Sequence, residues 1–306
     1  MVSQTFTVVD IETTGVNPEN DAVVEIAAID VVEERLTTPR SAFVKSSVPI
    51  PATASAVHHL TDLDLANALP AREAIPNVLI PGRDAIYVAH NAQFEQGFLK
   101  PYVPNVRWLC TYKASLRVFG DAPAHSNQVL RYHLNLPLER DLASPPHRAM
   151  PDAYVTAHLL CRLLREASVE DMLAWSAEPA LLPTCTIGEW RGKKWSEIDE
   201  GFLQWMIKKP VDDRDLVWNA QHELKRRWAE EDTQRAEYVR WAKEMIVFAT
   251  SVDDLNKWFR EERESNFIKY RITENTKEYA SIVAACKDHK ATILNAQASP
   301  NVTAAA

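Results

Sequence analysis

Hydrophobic and polar positions follow two periods along the first half of the chain. Thr5–Asp10 (TFTVVD) and Ala22–Val32 (AVVEIAAIDVV) are rich in β-branched residues and predict strands. Ser41–Lys45 predicts a third strand after the polar, proline-containing turn at 36–40, so the chain opens with a meander. A helix is expected around 71–80, then a short apolar strand at Ala85–His90 running straight into a helical segment at Ala92–Leu99. Trp108–Cys110 predicts another strand and Thr111–Val118 a helix. In His147–Ala167, Val155, Leu159, Leu160, Leu163 and Leu164 recur at the spacing of an amphipathic helix packed on a sheet. Strands alternating with helices predict an α/β layer architecture.

The pattern changes after Leu181-Leu182-Pro183. Thr186–Lys209 reads as a compact stretch and Asp212–Trp228 as a charged helix, and the remainder to Leu294 reads as helices. Ser251 followed by Asp254, ahead of Leu255, Trp258 and Phe259, predicts an N-cap with an acid three residues on. The tail at 296–306 is expected to fray.

Composition narrows the class. With 306 residues, 46% hydrophobic and 25% charged, the chain has the balance of a globular protein of one large or two moderate domains. No apolar run approaches the roughly 20 residues of a membrane span. Met1–Asp10 has neither a basic start nor a cleavable apolar core, so a cytoplasmic protein without membrane contact is expected. Cys110, Cys161, Cys185 and Cys286 lie far apart, which argues against a disulfide framework or a structural zinc site. Of nine tryptophans only Trp108 precedes residue 170, and that shift suggests a domain boundary near 176–186. The formal net charge of −8 by itself argues against a nucleic-acid partner.

The acidic residues are more specific. Asp10-Ile11-Glu12 closes the first predicted strand, where side chains at i and i+2 share a face and both carboxylates can reach one cation site while Ile11 points into the core. Alone, the triplet reads equally as a solvated strand end. Glu95 stands on the first turn of a helix that follows a strand, the edge where open α/β sheets bind ligands, although a helix-dipole partner would explain it too. His147 and Asp152 flank the entry of the long amphipathic helix, with Pro151 suited to its first turn; a lone histidine there also reads as a surface or capping residue.

Together, Asp-x-Glu, Glu and His-x4-Asp in this order resemble the DEDD superfamily of 3′–5′ exonucleases, in its histidine-containing branch. The resemblance covers residues about 5–167 through VVDIETTG, VVEIAAIDV, VHHLT, VAHNAQFEQGFL and HRAMPDA, and for some members continues into Thr186–Trp205. It implies a ribonuclease H-like mixed sheet flanked by helices over residues 1–176 and a small α+β segment at 186–228, while the helical region at 233–295 is read from its own residues and lies outside the resemblance. It also implies hydrolysis of DNA phosphodiesters from a 3′ end, releasing nucleoside 5′-monophosphates with the help of two divalent cations, Mg²⁺ or Mn²⁺. Such a cation pair activates water and neutralises charge on the attacking and leaving oxygens. By the same resemblance Asp10 bridges both ions, Glu12 and Asp152 complete the shell of one, and His147 is the general base, an imidazole's ordinary pKa of about 6.5 suiting it to accept a proton at neutral pH. Glu95 replaces the family's usual Asp; that position acts partly through water, which softens the geometric demand.

Substrate contacts follow from the same motifs. Thr13, Thr14 and Gly15 after the Asp-x-Glu strand offer backbone N–H groups and close approach to a terminal nucleotide. His58 matches a nucleotide-contacting histidine, and Thr53 is either a second contact or a helix N-cap. His90 and Asn91 either orient Glu95 or the scissile phosphate, or make strand-end hydrogen bonds. Further on, Trp190, Arg191, Lys193 and Lys194 read as a tight hairpin whose cations could meet phosphates, or as solvated residues of a small structural domain. Trp241, Ile246, Phe248, Leu255, Trp258 and Phe259 form either a small helical core or a groove for a protein partner. The rival functions are an exoribonuclease acting on RNA 3′ ends and a catalytically silent nucleic-acid-binding module in which Glu95 marks lost activity.

Overall fold

The computed structural model describes residues 4–81, 84–209 and 213–298. These form two compact units: one runs to Ile198 and takes in a segment ending at Asn219, and the other comprises Asp199–Lys209 and the chain from Ala220. Residues 177–198 thus pack with the first unit, and the expected small domain at 186–228 is divided between the two.

In the first unit a seven-stranded sheet has the order β5-β4-β2-β1-β6-β7, with β3 paired to β2. The strands are β1 (Thr5–Thr13), β2 (Val23–Val32), β3 (Arg35–Leu36), β4 (Arg40–Lys45), β5 (Leu69–Pro70), β6 (Ala85–Ala89) and β7 (Arg107–Cys110). β1, β2 and β4 pair antiparallel as the meander requires, whereas β6 joins β1 and β7 joins β6 in parallel. Helices α1 (Ala52–His58), α2 (Ala71–Leu79), α3 (Gln93–Leu99), α4 (Thr111–Val118), α5 (Asn127–His133), α6 (Ala149–Leu163) and α7 (Val169–Ala177) flank it. This is the mixed, helix-flanked sheet of the ribonuclease H-like class. The first strand runs to Thr13 rather than stopping at Asp10, with an irregularity in register between Glu12 and Thr13.

Alternation along the strands sorts the core into two layers. Phe6 and Val8 of β1, with Ala27, Ile29 and Val31 of β2, pack against Val155, Leu159, Leu160 and Leu163 of α6. Val9 and Ile11 face the other way, toward Ile75, Val78 and Leu79 of α2 and Phe98 and Leu99 of α3. Because both faces are covered, nearly every residue of β2 is buried, which is why it reads as a continuous apolar run.

The second unit is helical: α8 (Glu200–Lys208), α9 (beyond Asn219, within Arg214–Ile246), α10 (Val252–Glu264), α11 (Asn266–Lys269) and α12 (Lys277–Ala298). The expected break between 228 and 233 is absent, since α9 has no Gly or Pro and is laced by Arg226–Glu230 and Arg227–Glu223 pairs. Ser251 caps α10 by accepting the Asp254 N–H, as its sequence predicts. Tyr238, Ala242, Ile246, Leu255, Phe267, Ile272 and Ile282 make a core with Trp258 and Phe259 against it; Trp241 and Phe248 instead remain 41% and 71% exposed. Residues 296–298 belong to α12, and the rest of the expected tail lies outside the described residues. Among the described residues no helix is long and apolar enough to cross a membrane, and the four cysteines are free thiols.

Candidate active site

The layer that α6 covers ends in acids. Asp10 and Glu12 continue the parity of Phe6 and Val8, so their carboxylates emerge at the end of the strand face on which α6 packs. Asp152 enters from the first turn of that helix, and oxygens of Asp10, Glu12 and Asp152 lie within 4.8 Å of one another. Asp152 is held at both oxygens: Gln128 Nε2 donates to Oδ1 at 3.1 Å and the His147 backbone N–H to Oδ2 at 2.8 Å. His147 stands exposed ahead of the helix with a left-handed backbone (φ 59), the chain thereby turning into Arg148, the N-cap.

Glu95 stands on the first turn of α3, outside the three-residue set but in its field. It is buried to 4% exposure, and its Oε2 has no hydrogen-bond partner among the described residues. Burial, followed by the charge of Glu12, pushes the Glu95 carboxyl up to about 8. Glu12 rises to about 8 through burial and then the charges of Asp152 and Glu25. Burial lifts Asp10 well above the carboxylate range, with Glu95, Asp152 and Glu12 adding to the effect, and burial also raises Asp152. Such a set of acids lacks a positive charge inside it, and a hard divalent cation with oxygen ligands is the species that fits.

Sequence reasoning missed the brace of this site. Glu25 of β2, directly opposite Glu12 in register, is buried and receives both arms of Arg148, Nε at 2.9 Å and the terminal nitrogen at 2.8 Å, plus the Ala149 N–H at 3.2 Å. The signal was available: an acid inside an otherwise buried strand requires a cation. Asn127 adds a second brace, donating to the Asp152 carbonyl at 3.1 Å and to Thr156 Oγ1 at 3.0 Å.

The remaining expected contacts divide. His58 is buried near Thr13, Glu25 and Arg148; burial lowers its pKa, and its Nδ1 accepts the Leu60 N–H at 3.0 Å. Thr53 does not cap α1, since Pro51 holds that position and Thr53 lies exposed in the first turn. Thr13 Oγ1 donates to the Gly15 carbonyl at 2.6 Å, and Thr14 Oγ1 to Asp21 Oδ1 at 3.1 Å. The space left by the missing Cβ of Gly15 is filled from within, because a Cβ there would sit 2.5 Å from the Asp21 carboxylate. Both ring nitrogens of His90 are engaged, with Thr111 Oγ1 at 3.0 Å and the His125 carbonyl at 2.8 Å, and burial lowers its pKa to about 4. These are hydrogen bonds at the end of β6. Asn91 is exposed in the left-handed region (φ 79) at the β6–α3 turn, where its carbonyl accepts the Phe94 N–H.

The fold and the site define a class, and comparison with known proteins agrees. The family model described as exonuclease matches residues 7–160, and the chain belongs to that family. Exodeoxyribonuclease 10 of Escherichia coli K12 is 32% identical over 205 residues, covering 65% of this chain and 89% of that protein. The PolC-type DNA polymerase III of Thermotoga maritima is 32% identical over 165 residues, 52% of this chain and 12% of the much longer polymerase. The solved structure of exonuclease X in complex with 5′ overhanging duplex DNA is similar at 31% identity and a TM-score of 0.49, covering 56% of this chain and 99% of that one.

Proposed function

We propose that the protein is a divalent-metal-dependent 3′–5′ exonuclease that hydrolyses DNA to nucleoside 5′-monophosphates, with residues 1–176 as its catalytic domain. The observation that carries this reading is the meeting of Asp10, Glu12 and Asp152 within 4.8 Å in a chain of the exonuclease family. The extended match to a relative named an exodeoxyribonuclease supports DNA as substrate.

Asp10, Glu12 and Asp152 would hold the cation, Mg²⁺ or Mn²⁺ by their hard oxygen donors, with Glu95 the buried acid at hand to hold a second. Bound there, the cation supplies charge neutralisation at the phosphate and a more acidic water. A ring nitrogen of His147 then takes the proton of the attacking water, its exposed place on the approach to α6 leaving it open to substrate. Gln128 and the His147 backbone N–H fix the Asp152 carboxylate, so the backbone of the residue that would move the proton is tied to the carboxylate that would anchor the cation. The Arg148–Glu25 pair pins the start of α6 to β2 and so sets the distance from Asp152 to Glu12. The free thiols support a reducing, cytoplasmic setting.

Turnover on matched single-stranded DNA and RNA oligomers with Mg²⁺ or Mn²⁺ tests the assignment. DNA is expected to be degraded faster; a strong preference for RNA would move the enzyme to the exoribonucleases, and no metal-dependent cleavage of either would make it a silent binding module.

A further inference from the structure

Next to the start of α3, a groove of about 550 Å³ is lined by His90, Asn91 and Ser126 together with Pro183, Thr184 and Thr186. It begins at Asn91, at the N-terminal end of the helix that carries Glu95, and ends on a loop with defined internal geometry. Thr184 bridges Lys194 in antiparallel fashion, the Cys185 N–H donates to the Lys193 carbonyl at 2.9 Å, and the Gly192 N–H returns to the Cys185 carbonyl at 2.8 Å. Gly192 makes the turn at φ 81 in open space. Buried Cys185 and Trp195 root the loop in the first unit, and the Trp195 indole N–H donates to the Leu182 carbonyl at 2.8 Å.

The outward side of this rooted loop carries Arg191, Lys193 and Lys194, all exposed and without an ion pair among the described residues. Between residues 184 and 194 the only acid in the sequence is Glu189, so a chain of net charge −8 concentrates positive charge here. Exposed cations serving solubility alone are usually interspersed with acids. Three within four residues, on a braced turn whose Lys194 pairs with the groove residue Thr184, have the arrangement that tracks a phosphate backbone.

We propose that the 184–194 loop is an anchor for the substrate strand: with the 3′ end at the carboxylates, the strand runs past Asn91 along the groove, and Arg191, Lys193 and Lys194 hold phosphates several nucleotides upstream. This rests on the exonuclease reading and specifies where that enzyme holds its substrate. A nucleotide too short to reach the loop gains nothing from it, whereas a long strand gains affinity that falls with salt.

The test compares the wild-type protein with the triple variant Arg191→Ala, Lys193→Ala, Lys194→Ala, and with the charge reversal Lys193→Glu, Lys194→Glu. Binding of a long fluorescent single-stranded DNA is followed by anisotropy in EDTA over a range of KCl concentrations. Cleavage of that strand and of a dinucleotide is followed with Mn²⁺. At about 0.7 per phosphate contact, the triple variant should lose about 2 from the slope of log affinity against log salt. Its KM for the long strand should rise about tenfold at low salt, with no rise for the dinucleotide. The reversal variant should also bind the long strand more weakly than the wild type, since its two acids repel the phosphates that the lysines attract. An unchanged slope and unchanged KM for the long strand overturn the proposal. Failure of the exonuclease reading looks different: the wild type cleaves neither substrate, while the binding slope in EDTA still decides whether the loop is an anchor.

Discussion

Asp10, Glu12, Glu95 and Asp152 are charged groups that the folded protein holds at a cost. Glu12 and Glu95 are both pushed up to about 8, and Asp10 well above its ordinary range, chiefly by burial. Between an ordinary carboxylate pKa of about 4.5 and about 8, the folded chain therefore binds more protons than the unfolded chain. Stability of the metal-free protein should fall as pH rises through that window, the opposite of the usual carboxylate paired with a cation. A divalent cation should accordingly raise Tm by more at about pH 8 than at about pH 5, by several degrees. Calorimetry with and without Mn²⁺ at the two pH values checks this, and an equal shift at both contradicts it. His147 plays a different part. His147→Ala should lower kcat by about 10²–10⁴-fold while keeping the Mn²⁺-induced rise in Tm, because its ring is not among the clustered carboxylates. Loss of the Mn²⁺ response in that variant would make His147 part of the cation site instead.

Secondary-structure elements bring these residues together by parity and by one ion pair. β1 presents Asp10 and Glu12 on the face that α6 packs against, and Arg148 ties the start of α6 to Glu25 on β2. The Glu25 side chain is 7% exposed and Arg148 27%, so Arg148→Ala would strand a buried carboxylate. We expect a loss of about 3 kcal/mol, near the low end for a broken buried pair because the arginine is partly solvated, with weaker activity from a loosened Asp152. Urea unfolding measures it, and a change within about 0.5 kcal/mol would mean the pair does not brace the site. Much of this was legible in the sequence. Runs rich in β-branched residues located β1 and β2, the turn at 36–40 located β4 behind it, and the 3.6-residue stripe from Val155 to Leu163 located α6. The grouping of Asp10, Glu12 and Asp152 was readable from the family resemblance that their order in the chain carries, since each alone reads equally as a solvated strand end or a helix start. What escaped depends on packing between distant segments. His90 is engaged by Thr111 and His125, the gap at Gly15 is filled by Asp21, and α9 runs unbroken where composition suggested a boundary.

At the scale of the molecule the net charge of −8 takes on a definite meaning. Through residue 176 there are 20 acids and 14 bases, a balance of −6, and the remainder carries 22 acids and 20 bases, a balance of −2. Four acids of the first part belong to the site, so the charge that argues against a nucleic-acid partner is in part the charge that gathers cations for one. The metal-free protein should consequently hold DNA weakly. The central claim is that these carboxylates direct hydrolysis from the 3′ end. A 5′-labelled DNA strand, digested with Mg²⁺ or Mn²⁺ by the wild type and by Asp10→Asn, tests it most directly. The account predicts a ladder of progressively shorter strands that keep the 5′ label, absent with EDTA and absent in the variant. Label released at once as mononucleotide, or an equal ladder from Asp10→Asn, would contradict it.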